Sequence, residues 1–319
     1  MKIKAFAIPL ISILLYLVTA CSKELPLKIS YDDPKLVLNC ILIAGEPIIA
    51  HVSHTIPISS QDSMFINNAI VELWEGDSLL MVLANKGEGV YESGVYAISG
   101  RKYKLTATVQ GYAKVEGSDS VPYRTEISKA ESGWGAHPFL DGGDIRYYND
   151  YFLQFADNPA QKNYYEILFA NQQKYSDSTY LIAYESVCRI SDPIIADEGL
   201  NNYFPEAYVF TDLENSGKEF SISMSFSANS NSLFPKPLVF GPDGYYTLLR
   251  TVSNEYYKFK KSWYVHRFNQ QISTSFEEMI YEGLTGDPVP LYSNIRNGYG
   301  IVAAYAQTHL KTEYTDNTK

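Results

Sequence analysis

The sequence has 319 residues, 45% of them hydrophobic, and its 26 basic and 36 acidic side chains give a formal charge of −10. That balance excludes the positive footprint a nucleic-acid binder needs, and the charges are scattered as on a solvated surface. The length suits two domains, and 27 tyrosines favour strands with wet, amphipathic faces, or more sharply a tyrosine-lined binding surface.

Lys2 and Lys4 precede an apolar run over residues 5–18, shorter than the roughly 20 residues of a membrane span and interrupted by Pro9. Val18-Thr19-Ala20-Cys21 follows, a lipobox with Val18 where leucine is usual. It predicts a signal peptide over residues 1–20 and acylation of Cys21, first on the thiol and then on the new amine. Each buried CH₂ adds about 0.8 kcal/mol, so several chains on one residue hold firmly. The bland alternative is an ordinary secretory signal beside a chance cysteine. Ser22 after Cys21 predicts sorting to an outer membrane, and Lys23-Glu24 is a weak pointer to the cell surface. Residues 21–33 read as a lipidated tether, reaching about 45 Å at most when extended. Without residues 1–20 the chain keeps 24 basic against 36 acidic residues, a net charge of −12.

Residues 34–123 read as an immunoglobulin-like β-sandwich. The run over 35–43 is apolar on both faces apart from Asn39, and it puts Cys40 on one face with Leu36, Leu38 and Leu42. That predicts a buried thiol behaving as a small hydrophobe, favoured over a bridge to Cys188. Glu75-Gly76-Asp77-Ser78 between two apolar runs predicts a hairpin. From Tyr103 to Val109 the chain alternates, Tyr103, Leu105, Ala107 and Val109 inward and Lys104, Thr106 and Thr108 outward. Some seven short strands in about 90 residues suit a sandwich.

Residues 124–150 lack sustained periodicity and read as a linker holding Trp134, His137 and Asp141-Gly142-Gly143-Asp144. Residues 151–319 read as a second antiparallel β-rich domain. Its strands fall near 151–155, 164–170, 180–184 and 207–210, and over 220–226 Phe220, Ile222, Met224 and Phe226 share one face. One helix is predicted near 253–270, with Ser253 as N-cap, Glu255 in the first turn, and Tyr256, Phe259, Trp263 and Phe268 as its packing stripe. The tail from Lys311 is polar and reads as fraying.

The sequence holds no Gly-x-Ser-x-Gly elbow, no His-Glu-x-x-His and no phosphate-cradling loop. His51 and His54 are three apart on a predicted strand, so they point to opposite faces and read as solvent-facing rather than as a zinc pair. Asp141 and Asp144 suit an ordinary turn better than calcium, which takes six to eight oxygens. No catalytic, cofactor or metal residue is assigned.

Several patterns together resemble Bacteroidota lipoproteins grouped as domain of unknown function 4249. Pro34-Lys35-Leu36-Val37-Leu38-Asn39 with Gly45 resembles the family's opening strand, although Cys40 stands where glycine is common. Ala69-Ile70-Val71-Glu72-Leu73-Trp74-Glu75-Gly76, Gly100-Arg101-Lys102-Tyr103-Lys104-Leu105 and Gly111-Tyr112 resemble its immunoglobulin-like part. Leu249-Arg250 and Ser253-Asn254-Glu255-Tyr256-Tyr257 are similar to its late helix. The most telling run is Asp287-Pro288-Val289-Pro290-Leu291-Tyr292-Ser293-Asn294-Ile295 with Asn297-Gly298-Tyr299-Gly300-Ile301, although Val302-Ala303 replaces a more usual aromatic. The resemblance implies a setting beside TonB-dependent outer-membrane transporters and supplies no catalytic residue. The leading expectation is therefore a non-enzymatic, lipid-anchored accessory of the outer membrane that captures a ligand or assembles the complex. The alternatives are an assembly lipoprotein binding only protein, and a surface hydrolase of glycans or peptides.

Overall fold

The computed structural model describes residues 33–57, 62–141, 144–175, 178–184, 192–200, 203, 207–213, 216–227, 245–270 and 289–316. The chain divides into two units, Met1–Asp33 and Pro34–Lys319, and the elements below belong to the second. Cys21 and the signal and tether expectations lie outside the described residues.

The protein is mainly β. Eight strands come first: β1 (Leu36–Ile43), β2 (Pro47–His54), β3 (Ile70–Glu75), β4 (Ser78–Val82), β5 (Ala84–Gly87), β6 (Val90–Tyr96), β7 (Lys102–Thr108) and β8 (Val115–Ser120). Then come β9 (Ile127–Asp141), β10 (Asp144–Ala156), β11 (Tyr164–Tyr175), β12 (Ser178–Tyr184), the short helix α1 (Pro193–Ala196), β13 (Tyr208–Thr211) and β14 (Glu219–Ser227). The chain closes with β15 (Tyr245–Val252), α2 (Asn254–Gln270), β16 (Tyr299–Lys311) and β17 (Glu313–Asp316).

These strands form three sheets. The long one runs β12-β11-β15-β16-β1-β2-β6-β5, with β13 also on β11; the short ones run β4-β3-β7-β8 and β14-β10-β9-β17. Cross-strand partners share a face, and Cys40 pairs with Val302 while Leu249 pairs with Thr308. Val302 and Thr308 are an even number of residues apart on β16, so both pairs lie on one face of the long sheet. One end of that face packs on the β3-β7 sheet through Leu38, Cys40, Val52, Leu73, Leu105 and Val302. The other end packs on the β10-β14 sheet through Leu153, Phe155, Tyr165, Phe210, Phe220 and Leu249. Helix α2 covers the opposite face, where Tyr256 meets Val252, Ile301 and Ala303.

The expected strands appear, and the β3–β4 hairpin turns at Gly76-Asp77 with Glu75 paired to Ser78. Cys40 is buried and unbridged, and burial pushes its thiol pKa up to about 12. Two features differ from expectation. Residues 124–150, read as a linker, hold β9 and the first part of β10, paired across Asp141 and Asp144. The tail from Lys311 does not fray over 313–316; it lies parallel to the β9 edge, and Thr312 beside it is buried. In both segments backbone pairing supplies what the side-chain pattern lacks, and a partner distant in sequence leaves no local periodicity.

The tyrosines also have an unforeseen use. Tyr91, Tyr103, Tyr151 and Tyr165 are fully buried core residues whose hydroxyls close on Ile66 and Ala69, Ile98, Thr247 and Asp157 respectively. Each joins a large apolar ring to an internal hydrogen bond.

Candidate functional site

The run singled out by sequence forms a strap between α2 and the sheets. Its C-terminal end is set by glycines: a Cβ on Gly298 would collide with the Leu36 carbonyl, and one on Gly300, at φ +111°, would meet the Leu38 carbonyl. Glycine thus lets β16 start in close parallel contact with β1. Upstream, Tyr292 donates its hydroxyl to Glu255 on α2 and its amide to Ser262 Oγ at 2.9 Å. Asn294 accepts from the Val302 amide at 2.9 Å and donates to the Val302 carbonyl at 2.7 Å, imitating one rung of a ladder. Ile295 is buried against Gly117, and Arg296 ties down the free edge of β8. Its amide donates to the Glu116 carbonyl at 2.8 Å and its guanidinium pairs with Glu116 at 2.7 Å. Asp287 and Pro288 lie outside the described residues.

Two clefts flank the strap. The first is polar, about 400 Å³, and opens at the β8 edge beside the α2 N-terminus. Its walls carry Lys102, Lys104, Arg296, Glu116, Asp119, Glu255, Asn294 and the two serines of β8. Asp119 is only 9% exposed; Oδ1 accepts from the Ser120 amide at 2.8 Å, while buried Oδ2 has no hydrogen-bond partner. The Ser253 hydroxyl and Ala304 amide come close enough to favour its charge without closing a bond to Oδ2. Burial, with Glu255 adding repulsion, still pushes the Asp119 pKa up to about 6. Glu255 is fully engaged, taking Tyr292 on Oε2 and Asn254 on Oε1. Lys104 sits over the Trp74 ring at 4.8 Å, whereas the Lys102 ammonium has no ion pair among the described residues.

The second cleft is an open groove of about 800 Å³ between α2 and the strap, floored by Tyr257, Val265, Leu291, Tyr292, Ile295 and Tyr299. Lys258 and Lys261 stand on its rim. Both are occupied, Lys258 over the Tyr292 ring at 5.3 Å and Lys261 on Glu198 at 2.9 Å.

Beneath the helix lies a charge cluster that sequence reading missed. Glu166 on β11 is wholly buried, and its Oε2 accepts from Arg250 at 2.8 Å and from the Tyr256 hydroxyl at 2.9 Å. Lys260 pairs with Oε1 at 3.4 Å, Arg250 Nε donates to Gln307 at 2.9 Å, and the guanidinium lies 4.3 Å over the Tyr305 ring. Burial works against the Arg250 charge, but Glu166 together with Tyr256 and Tyr305 outweighs it and the guanidinium pKa moves up. Burial first, then Glu166, raises the Tyr256 pKa well above its ordinary value. The buried helix face is thus Tyr256, Lys260 and Tyr264 at i, i+4, i+8. The expected stripe is corrected at Trp263, which is 37% exposed and stacks on Phe259. An apolar-only pattern cannot pick out a lysine at the centre of a packed face. The signal that could have found it is an acid on β11 where apolar side chains are otherwise expected.

The other candidate residues are not brought into these clefts. His54 donates Nε2–H to the Ser63 carbonyl at 3.2 Å and accepts from Tyr112 on Nδ1 at 2.8 Å, while His51 is exposed. Among the described residues no group of three His, Cys, Asp or Glu side chains could hold a metal. The side chains of Trp134, His137, Asp141 and Asp144, and all of Cys188, lie outside the described residues. Asp157 and Asp212 are buried too, but Asn163, Tyr165 and Gly217 satisfy them, so they close the end of a sheet rather than open a site.

Fold and site together define a mainly β protein in which a strapped helix closes one face of a long sheet. Residues 22–311 match the family described as Domain of unknown function (DUF4249), and the chain belongs to it. No curated protein sequence matches the chain.

Proposed function

We propose that this protein is a non-enzymatic, lipid-anchored accessory of a bacterial outer membrane, held by acyl chains on Cys21 and displayed at the cell surface. It serves a TonB-dependent transporter by capturing a ligand or holding the complex together. The lipobox and Ser22 support the address, and the family's similarity in setting to lipoproteins found beside such transporters supports the partner. The observation that carries capture is the pair of clefts against one strap, one polar and bordered by a half-satisfied buried carboxylate, the other lined by tyrosines. Aromatic side chains that become buried dominate contacts of this kind.

A hydrolase of glycans or peptides is the second reading, because Asp119 and Glu255 oppose each other in one cleft and Asp119 has a raised pKa. Capture is favoured over turnover because both Glu255 oxygens are already bonded, which leaves one free carboxylate oxygen where hydrolysis needs two working acids.

Affinity purification of the native lipidated protein in mild detergent, followed by mass spectrometry, tests the reading. A stoichiometric TonB-dependent transporter is expected, and a protein emerging alone would overturn the stable complex. Cys21→Ser should release the protein from the membrane fraction, and persistence there would refute the anchor.

A further inference from the structure

The two strands that border the polar cleft present one chemistry on one face. In the β7–β8 ladder Lys102 pairs with Ser120 and Lys104 with Ser118. Paired residues share a face, and so do residues two apart on a strand, so these four side chains stand together on the outer face of the short sheet. Opposed side chains start about 4.5–5.5 Å apart and same-face neighbours along a strand about 7 Å apart, a patch the size of one small anion. All four residues line the cleft of about 400 Å³. Among the described residues the two ammonium groups have no ion pair and the two hydroxyls no hydrogen bond, and Lys104 only rests over the Trp74 ring. The acids of the cleft do not cancel them. Asp119, between Ser118 and Ser120, is turned to the buried face beside Ser253 and Ala304. Glu116 is held by Arg296, and Glu255 by Tyr292, Asn254 and Lys258. The side chains left open to a ligand are therefore two cations and two hydroxyls.

We propose that this face of the cleft binds the phosphate group of a small ligand. The Lys102 and Lys104 ammoniums and the Ser118 and Ser120 hydroxyls donate to its oxygens. The assignment rests on the capture reading above and names the ligand class for one of its two clefts. Two ammoniums suit a dianion, and charge-assisted hydrogen bonds to phosphate oxygens are the strong ones. A carboxylate, with one charge and two oxygens, would leave part of the set unanswered, and a cationic ligand would be repelled. The cleft volume falls at the small end of ordinary ligand pockets and leaves room for the group that carries the phosphate.

The test is calorimetric titration of the full lipidated protein in mild detergent with inorganic phosphate, glycerol 3-phosphate and acetate. Saturable binding of both phosphates is expected, at least tenfold tighter than that of acetate. Lys102→Ala, at an exposed position that leaves the fold alone, should weaken it at least tenfold. Ser118→Ala with Ser120→Ala should weaken it while leaving every charge in place. Lys86→Ala, which removes a cation from the β5 edge of the long sheet, should change nothing. Absence of saturable binding overturns the proposal, as does equal affinity for acetate, indifference to Lys102→Ala, or an equal loss in Lys86→Ala. Where phosphate binds as expected, competition by phosphatidic acid in the micelle assigns it to a lipid headgroup, and no competition assigns it to a soluble ester. Co-purification of a transporter alongside a failure to bind phosphate would leave the accessory reading standing without this ligand.

Discussion

Leu38 and Glu166 both sit on the long sheet with no solvent exposure, yet they are held by different forces. Leu38 belongs to the sandwich between β1 and β7, where aliphatic side chains and small residues such as Ala50 and Ala107 fill the space. Its stabilisation comes from apolar area removed from water, about 25 cal/mol per Å². Glu166 lies under α2, where the helix meets the sheet through a carboxylate, a guanidinium, an ammonium and a tyrosine hydroxyl. Such a cluster adds little net stability, because desolvating the charges offsets their attraction, but it fixes geometry. The sandwich is therefore framework. The helix junction is where side chains are held in place at the expense of stability, and both clefts open there.

Mutations can break or sharpen this contrast. The largest effect is expected for Glu166→Ala, which strands the Arg250 guanidinium beneath the helix and should cost about 3–5 kcal/mol in urea unfolding. Replacing Glu166 and Arg250 together with leucine should recover most of that loss, whereas a loss as large as that of Glu166→Ala would mean that the pair supplies net stability. Leu38→Ala in the sandwich should cost a comparable 2–5 kcal/mol or so, and no second mutation of a charge should restore it. Gly300→Ala should cost about 1–3 kcal/mol, since its φ of +111° and the Leu38 carbonyl leave no room for a side chain. Ser253→Ala should cost about 1 kcal/mol, because Ser253 Oγ accepts from the Tyr256 and Ala304 amides. An unchanged midpoint in the last variant would mean that water replaces the cap.

Local pattern made the framework legible. Alternation placed Tyr103, Leu105 and Ala107 inward, and the Leu36, Leu38, Cys40 and Leu42 face is buried as its spacing indicates. Ser253 and Glu255 marked the start of α2, and the Tyr292-to-Gly300 run marked the strap. The clefts were not legible, because the polar one needs β8 to meet α2 and the strap from far away in sequence, and the groove needs α2 and the strap to fold against each other. Asp119 reads in sequence as one polar residue in Gly117-Ser118-Asp119-Ser120, and only the packing of β8 against β16, with Ser253 and Ala304 beside the carboxylate, buries it. Lys260 likewise reads as one of several helix lysines until Glu166, on β11, is set beneath it. Strand β9 and the tail strand β17 escaped notice because both are defined by their partners.

The most direct test of the claim that the junction keeps a costly charge is the stability difference between Asp119→Asn and the native protein as pH varies. Folding raises the Asp119 pKa from 3.8 to about 6, so the native state holds the proton more tightly than the unfolded chain. Well below pH 3.8 the carboxyl is neutral in both states and the two proteins should be nearly equal. As pH rises from 4 to 6 the native protein should lose stability relative to the variant, levelling above pH 6 at a gap of up to about 3 kcal/mol. The variant should therefore be the more stable protein at pH 7.5. A variant that is less stable at pH 7.5, with no dependence on pH between 4 and 6, would show that Asp119 is a structural acid and contradict the account.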